Sequence, residues 1–219
     1  MIKNKIIIFG LRDIAELAHY YLSAESDVEV VAFTVHGKFL DRSNWKGLPV
    51  IPYEEIENTY PVDEYKLFVP MTGSRMNRDR KDVYLQGKEK GYGFYSYISP
   101  FATVLTNRIG ENCFILEDNT IQPFVEIGDN VVMWSGNHIG HHSRIGDHVF
   151  FTSHVVLSGH CNVHDFSWFG VNSTISNDVS IGAGTLVAMG SLVTKGTEEW
   201  GLYMGSPAKY IKSSEDINV

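Results

Sequence analysis

The sequence lacks the features that would point to a membrane-spanning or nucleic-acid-binding protein. It has no run of 18 or more apolar residues, so no transmembrane helix is expected. Lysine and arginine number 18 against 26 aspartate and glutamate residues, which gives a net charge of −8, whereas phosphate contacts require clustered basic side chains. The opening stretch MIKNKIIIFG is too short for a signal-peptide core, has no small-residue cleavage site and predicts a first strand. We therefore expect a cytoplasmic protein with no membrane or nucleic-acid partner.

The C-terminal half carries an apolar residue at every sixth position from Ile109 to Val193. Neither a helix, with its repeat of about 3.6, nor a strand alternating every two residues requires a period of six. A chain that turns a corner every six residues does, and one inward side chain per short strand then stacks into a column. Three such hexads per coil would give five coils of eighteen residues over this region. The inward positions are Ile109, Ile115, Ile121, Ile127, Met133, Ile139, Ile145, Phe151, Leu157, Val163, Phe169, Ile175, Ile181, Val187 and Val193.

Residues that flank the inward positions are typical of tight corners. Glycine often follows directly, as at Gly140 and Gly146, where we expect corners with positive φ, and small residues such as Ser143 lie two positions before. Cys113 and Cys161 occupy this second position eight hexads apart, which is not a whole number of three-hexad coils. We expect these two cysteines on different faces, buried and unbridged, as in a reducing compartment.

The first hundred residues have a β-α-β pattern instead. They predict a Rossmann-like α/β domain over residues 1–98, followed after Ser99-Pro100 by a parallel β-helix domain over residues 99–219. Only Gly10 remains of a dinucleotide-binding glycine motif, so a nucleotide-bearing ligand beyond the strand ends is expected rather than a dinucleotide. The predicted elements are strands at Lys5–Phe9, Val28–Val35, Lys66–Val69 and Phe94–Ile98, helices at Asp13–Leu22 and Asp79–Lys90, and a C-terminal cap at Trp200–Lys209.

This domain order, the strict hexads and the segment MGSPAK resemble the left-handed β-helix acyltransferases. Over nearly the full length, the chain is similar to the sialic acid O-acetyltransferases and nucleotide-sugar N-acetyltransferases, including those of bacillosamine and perosamine synthesis. The resemblance implies a left-handed β-helix, a homotrimer and acetyl-CoA held between neighbouring β-helices. It also implies a role in surface polysaccharide or glycan synthesis, with no metal.

The resemblance implies that His141 is the catalytic base. The family motif places a histidine between hydrophobic residues and follows it with an acidic residue, and here it is matched by IGHHSRIG at Ile139–Gly146. An attacking amine or hydroxyl must lose a proton, and imidazole titrates near neutral pH. The acidic neighbour is replaced by His142, which can orient the ring but supplies no negative charge. His142, His148, His154 and His160 share one hexad position, and we expect them to point outward.

Further positions correspond to ligand-binding places in the resembling enzymes. Gly159, one coil after His141, would donate its N–H near the thioester and could equally be a plain corner residue. Phe150, Ala188, Gly190 and Lys195 would hold the pantetheine or nucleotide end of CoA. In the front domain, Gly10 and Gly73 would receive the sugar nucleotide, with Arg12, Arg75 and Arg78 placed to meet its diphosphate.

We expect acetylation of the amino group of a nucleotide-linked amino sugar, with a 4-amino-4,6-dideoxyhexose as the leading substrate. An O-acetyltransferase acting on a sialic acid or capsule sugar is the near alternative, and a non-catalytic binding protein is another. A zinc-dependent carbonic anhydrase on the same fold is disfavoured, because no two histidines have its five-residue spacing. The pattern does not distinguish UDP, dTDP and GDP sugars. Outward Trp134, Phe150 and Trp168 predict apolar surface buried in a trimer.

Overall fold

The structure is a computed structural model that describes residues 4–219. The chain forms two compact units, one made of the residues up to Thr72 with Asp82–Tyr95, the other of Gly73–Lys81 with Ser96–Val219. No helix within residues 4–219 has the length and apolar character needed to cross a membrane.

The front unit is an α/β structure built on a six-stranded sheet with strand order β3-β4-β2-β1-β5-β6, in which only the β3–β4 pair is antiparallel. The β3–β4 hairpin, absent from the sequence prediction, turns at Lys46 and Gly47, both with positive φ. Along the chain, the elements up to β6 are β1 (Asn4–Phe9), α1 (Asp13–Ala24), β2 (Val28–Val35), a 3₁₀ turn (Gly37–Phe39), β3 (Asn44–Trp45), β4 (Leu48–Pro52), a second 3₁₀ turn (Tyr53–Glu55), α2 (Ile56–Thr59), β5 (Tyr65–Phe68), α3 (Arg78–Glu89) and β6 (Gly93–Phe94). The first turn of α3, up to Lys81, belongs to the second unit.

The predicted strand Phe94–Ile98 is wrong as a single element. Its first residue belongs to β6, which pairs with β5. Tyr97–Ile98 form β7, which pairs instead with a strand of the second unit. The two strands separate because the Ser96 hydroxyl donates to the carbonyl of Gly110 and accepts from the N–H of Cys113, which ties the chain to the second unit.

The second unit is a parallel β-helix with three faces. Face 1 contains β7, β9, β12, β15, β18, β21, β23 and β24, face 2 contains β8, β10, β13, β16, β19 and β22, and face 3 contains β11, β14, β17 and β20. The strands are β7 (Tyr97–Ile98), β8 (Thr103–Val104), β9 (Phe114–Ile115), β10 (Thr120–Ile121), β11 (Glu126–Ile127), β12 (Val132–Met133), β13 (His138–Ile139), β14 (Arg144–Ile145), β15 (Phe150–Phe151), β16 (Val156–Leu157), β17 (Asn162–Val163), β18 (Trp168–Phe169), β19 (Thr174–Ile175), β20 (Ser180–Ile181), β21 (Leu186–Val187), β22 (Leu192–Val193), β23 (Gly201–Gly205) and β24 (Ala208–Ser213).

The register confirms three hexads per coil. On face 2, Ile121 pairs with Ile139, Ile139 with Leu157, and Leu157 with Ile175, each step being eighteen residues. The apolar residues at the sixth positions are buried in one core, with Ile109 partly buried at its edge. Phe151 and Phe169 stack in this core with ring centroids 4.6 Å apart.

Two side chains per hexad point inward, rather than one. From Cys113 onward, the residue two positions before each apolar residue is also buried, as shown by Val131, Ser143 and Val155. The core is therefore wider than a single column. Cys113 and Cys161 occupy this second position on faces 1 and 3, where both are free and buried, as predicted. Burial raises the pKa of Cys113 to about 12, which keeps the thiol protonated and unreactive.

The glycine after the inward residue serves close packing and does not adopt positive φ, contrary to the prediction. A Cβ on Gly140 would lie 2.4 Å from the backbone carbonyl carbon of Ser158 in the next coil. Positive φ occurs two residues later, where each coil turns from one face to the next. We call these turns corner 1–2 (Asp118, Gly136, His154, Asn172, Gly190), corner 2–3 (Phe124, His142, His160, Asp178) and corner 3–1 (Asn112, Asn130, His148, Phe166, Gly184).

The β-helix ends in an antiparallel hairpin at the predicted cap. Strand β23 continues face 1 by pairing with β21, and β24 returns along it. A small apolar cluster beside it brings Leu186 and Leu202 together with Met76 of the segment Gly73–Lys81.

A buried polar network fixes the segment Gly73–Lys81 at corner 3–1. The fully buried guanidinium of Arg80 donates to the carbonyl oxygens of His148 and Asn130 at 2.9 and 3.3 Å. The Asn130 amide donates to Nδ1 of His148 at 2.9 Å, so this nitrogen is unprotonated. The prediction that His148 points outward is wrong, because its side chain is held in this network and is only 8% exposed.

Charge introduced at an inward position should abolish folding of the β-helix. Leu157 and Val156 are neighbours on β16, but Leu157 is fully buried and Val156 is 39% exposed. We expect Leu157→Asp to prevent folding, because an unpaired buried carboxylate costs several kcal/mol, and Val156→Asp to fold. Circular dichroism and urea unfolding of the two variants test this. Equal tolerance would contradict the inward assignment.

Acid should destabilise the fold through His148. Burial, and then the Arg80 guanidinium, lowers the pKa of His148 to about 4, below the ordinary value of about 6.5 in an unfolded chain. Between pH 6.5 and pH 4, His148 binds a proton in the unfolded chain but not in the folded one. The free energy of unfolding therefore falls by about 3 kcal/mol as the pH drops through this range. Urea unfolding at pH 7.5 and 4.5 should show a smaller acid loss in His148→Gln than in wild type. The exposed-corner control His154→Gln should match wild type, and an unchanged acid loss in His148→Gln would refute the assignment.

Candidate active site at corner 2–3

His141 lies in the turn between β13 and β14, where the chain passes from face 2 to face 3. The backbone of this turn is tied to both adjacent coils. The His141 N–H donates to the side-chain oxygen of Gln122 at 2.9 Å, and the His141 carbonyl accepts from the N–H of His160 at 2.9 Å. The imidazole is exposed, so a substrate can reach it.

Three histidine rings meet at this corner. Nδ1 of His141 and Nδ1 of His142 are 3.0 Å apart, a hydrogen bond in which one ring donates and the other accepts. The His142 ring stacks on the ring of His160 in the next coil, with centroids 4.9 Å apart. The ring of Phe124 in the preceding coil also contacts the His142 ring, with centroids 4.6 Å apart. Within residues 4–219, no carboxylate forms an ion pair with His141 or His142.

Gly159 provides the space that the His141 ring occupies. A Cβ at this position would lie 2.9 Å from Cε1 of His141. The Gly159 N–H, predicted to face the thioester, donates to the side-chain oxygen of Asn177 at 3.0 Å. To act as an oxyanion donor, this N–H would have to exchange partners. A side chain at this position would therefore displace the His141 ring.

The predicted CoA-binding residues fall at two different corners. Lys195 is exposed and continues the column His141, Gly159, Asn177 at eighteen-residue steps. Three coils separate it from His141, which corresponds to about 14 Å along the helix axis. Ala188 and Gly190 lie instead at corner 1–2, where Gly190 is exposed and has positive φ.

Phe150, which was predicted to contact CoA, is covered by other side chains of the chain. Its side chain is 5% exposed and lies between the Trp168 ring, 6.3 Å away, and the Arg80 guanidinium, 5.5 Å away. The chain's own segment Gly73–Lys81 supplies this cover. Trp134 and Trp168 are also partly buried, so these aromatic residues do not provide the exposed apolar surface from which a trimer was predicted.

The predicted substrate residues divide between the two units. Gly10 follows β1 with φ +121°, and the exposed Arg12 precedes α1 in the front unit. Gly73 belongs to the second unit rather than the front domain, because it packs against Trp168 and Val219. Arg78 belongs there too, stacked on Trp200 at 4.4 Å and paired with Glu215 at 3.7 Å. Arg75 in the same segment pairs with Asp79 at 2.5 Å.

Adjacent coils contribute neighbours to the His141 turn that the sequence analysis did not predict. Gln122, His160 and Asn177 contact the His141 turn or Gly159. Each lies eighteen or nineteen residues from its partner, so applying the coil length around His141 would have identified them.

The comparisons with known proteins agree on the repeat and the fold. The family described as "Bacterial transferase hexapeptide (six repeats)" matches residues 108–140. A probable macrolide acetyltransferase from Lysinibacillus sphaericus is 47% identical over 45 residues, and the match spans 20% of this chain and a quarter of that protein's length.

Two solved structures are similar over most of the chain. The acetyltransferase domain of PglB from Neisseria gonorrhoeae superposes with a TM-score of 0.83 at 18% identity, covering 95% of this chain and all of that one. PerB from Caulobacter crescentus, solved with CoA and GDP-perosamine, has a TM-score of 0.83 at 24% identity, covering 95% of this chain and 98% of that one. The parallel sheets and the repeat thus fit a left-handed β-helix. Residues 108–140 thus match the repeat of this transferase family, and the chain shares the fold of these two acetyltransferase structures.

Proposed function

We propose that the protein is an acetyl-CoA-dependent N-acetyltransferase that acts on the amino group of a nucleotide-linked amino sugar. The observation that carries this proposal is the exposed His141, held by two adjacent coils on a corner of the β-helix. Two further findings support it. The Neisseria domain has also been solved with acetyl coenzyme A, and PerB has been solved with an amino-sugar nucleotide.

In this proposal His141 is the general base. When its Nδ1–H donates to Nδ1 of His142, Nε2 is left as the free proton acceptor. Nε2 takes the proton that the amine nitrogen loses as it attacks the thioester carbon. The C–S bond then breaks with its electron pair going to sulfur, and the imidazolium returns the proton to the thiolate.

His142 is a positioning residue in this mechanism. Its hydrogen bond selects the His141 tautomer, while its stacking on His160 and contact with Phe124 restrict its own ring. A neutral imidazole does this without the negative charge that an acidic neighbour would place beside the imidazolium. We therefore propose that the chain keeps the orientation of the base and forgoes part of its electrostatic stabilisation.

The remaining ligand contacts are proposed from position. Lys195, on the His141 column, would bind a phosphate of CoA. In a homotrimer, Ala188 and Gly190 would contact CoA that is bound by another subunit. Gly10 and Arg12 would receive the sugar nucleotide in a Rossmann-like front domain. Gly73 and Arg78, which were predicted to share this role, belong to the second unit. For Arg78, this requires that a phosphate replace Glu215. We place the reaction in the cytoplasm, in surface glycan synthesis.

The function is tested by mass spectrometry of reactions containing acetyl-CoA and a panel of nucleotide-linked 4-amino and 3-amino sugars. The expected product is heavier by one acetyl group carried on nitrogen. Acetylation of a hydroxyl group only, or of no sugar in the panel while acetyl-CoA still binds, would overturn the proposal.

Removal of the base should affect turnover rather than cofactor binding. We expect His141→Ala to lower kcat by roughly 10²–10⁴ with little change in the Kd of acetyl-CoA. His142→Ala should cost less, and His142→Glu should keep or raise activity and move the rising limb of the pH–rate profile to higher pH. His154→Ala, an exposed corner histidine at corner 1–2, is the control. Near wild-type turnover in His141→Ala would refute the assignment of the base.

A methyl group at Gly159 should displace the base without unfolding the protein. Its Cβ would meet the exposed His141 ring at 2.9 Å, and the ring can move into solvent. We expect Gly159→Ala to lower kcat at least about tenfold, since misplacement of a reacting group by about 1 Å can cost 10²-fold. Gly196→Ala is the matched control, because a Cβ there meets its nearest neighbour at an ordinary 3.4 Å. Equal kcat values in the two variants would contradict this role.

A further inference from the structure

The proposed mechanism uses His141 as the base and His142 to position it, and it gives His160 only the role of stacking on His142. His160 lies one coil beyond His142, with its ring 5.0 Å from that of His141 and nearly perpendicular to it. One ring nitrogen from each of His141, His142 and His160 can be chosen so that all three lie within 4.8 Å of one another. A general base requires one imidazole and a partner that orients it, so the third exposed imidazole is not needed for that role.

The spacing is close to that of a metal site. A tetrahedral metal with metal–nitrogen bonds of 2.0–2.1 Å requires ligand nitrogens about 3.4 Å apart. Here one pair is 3.0 Å apart and the whole set lies within 4.8 Å, so small side-chain rotations would complete the site. The backbone beneath is already fixed, because the N–H of His160 donates to the carbonyl of His141.

The ligand chemistry selects the kind of ion. Three neutral imidazoles suit Zn²⁺, Cu²⁺, Ni²⁺ and Co²⁺, whereas Mg²⁺ and Ca²⁺ prefer carboxylate and carbonyl oxygen. Exposure of all three side chains leaves a fourth position for water. We propose that His141, His142 and His160 form a binding site for a transition-metal ion. A neutral imidazole has one nitrogen free to bind either a metal or a proton, so His141 with a metal bound cannot act as the base. The ion therefore inhibits the enzyme, and this last step alone rests on the proposed function.

Binding is tested directly with tag-free protein, by calorimetric titration with Zn²⁺ and by the visible absorption of Co²⁺. We expect one ion per chain, a Co²⁺ spectrum with nitrogen coordination, and no saturable response to Mg²⁺. His160→Ala should weaken Zn²⁺ binding at least about tenfold. His154→Ala removes an exposed corner histidine outside the cluster and should leave the affinity unchanged. Circular dichroism confirms that both variants are folded.

Absence of saturable Zn²⁺ binding in wild type, or equal affinities in His160→Ala and His154→Ala, would overturn the site. The inhibitory role has a separate test, in which the Zn²⁺ concentration that halves acetyl transfer is measured relative to each variant's own metal-free rate. That concentration should rise at least about tenfold in His160→Ala only. Stoichiometric binding without inhibition would keep the site and reject its effect on the base.

Discussion

Pairing of each residue with the residue eighteen positions later is the constraint on which the β-helix depends. It places equivalent hexad positions directly above one another, about one strand spacing apart. Identical or compatible side chains therefore form ladders. Phe151 stacks on Phe169, the Asn112 amide donates to Asn130, and the Asp147 carboxylate accepts from the N–H of Asp129. Strands of two residues are stable only because every coil repeats these contacts with the next.

The candidate site is one of these ladders with a different composition. At corner 2–3 the stacked side chains are Phe124, His142 and His160, whereas corner 3–1 has the Asn112–Asn130 pair. The column next to this stack holds His141 beside Gly159. The same register that packs the core thus sets the ring contacts, the backbone hydrogen bonds and the open space around His141, the proposed base. No loop insertion is needed to build it. A one-residue slip would remove the site and the core together.

Periodicity in the sequence was enough to predict the coil, the faces and the buried cysteines, because the period of six has few structural explanations. It did not distinguish corners from the interior, since the second inward position accepts small polar residues such as Ser143 as readily as valine. His148 and Phe150 were misplaced for another reason. Both are covered by Gly73–Lys81, a segment distant in sequence whose buried Arg80 only the tertiary structure reveals. For the site, the motif pointed to His141, but its partners came from neighbouring coils.

The corner geometry also bears on how firmly His141, the proposed base, is held. His142 adopts φ +59° and His160 +58°, a left-handed conformation that costs a non-glycine residue about 1–2 kcal/mol. Asparagine, aspartate and histidine tolerate this region better than most residues, and they fill many of the corners. The cost is offset by the pairing of the flanking strands, which leaves the turn no alternative path. Because the backbone of His142 is fixed in this way, its hydrogen bond can orient the His141 ring before any substrate arrives.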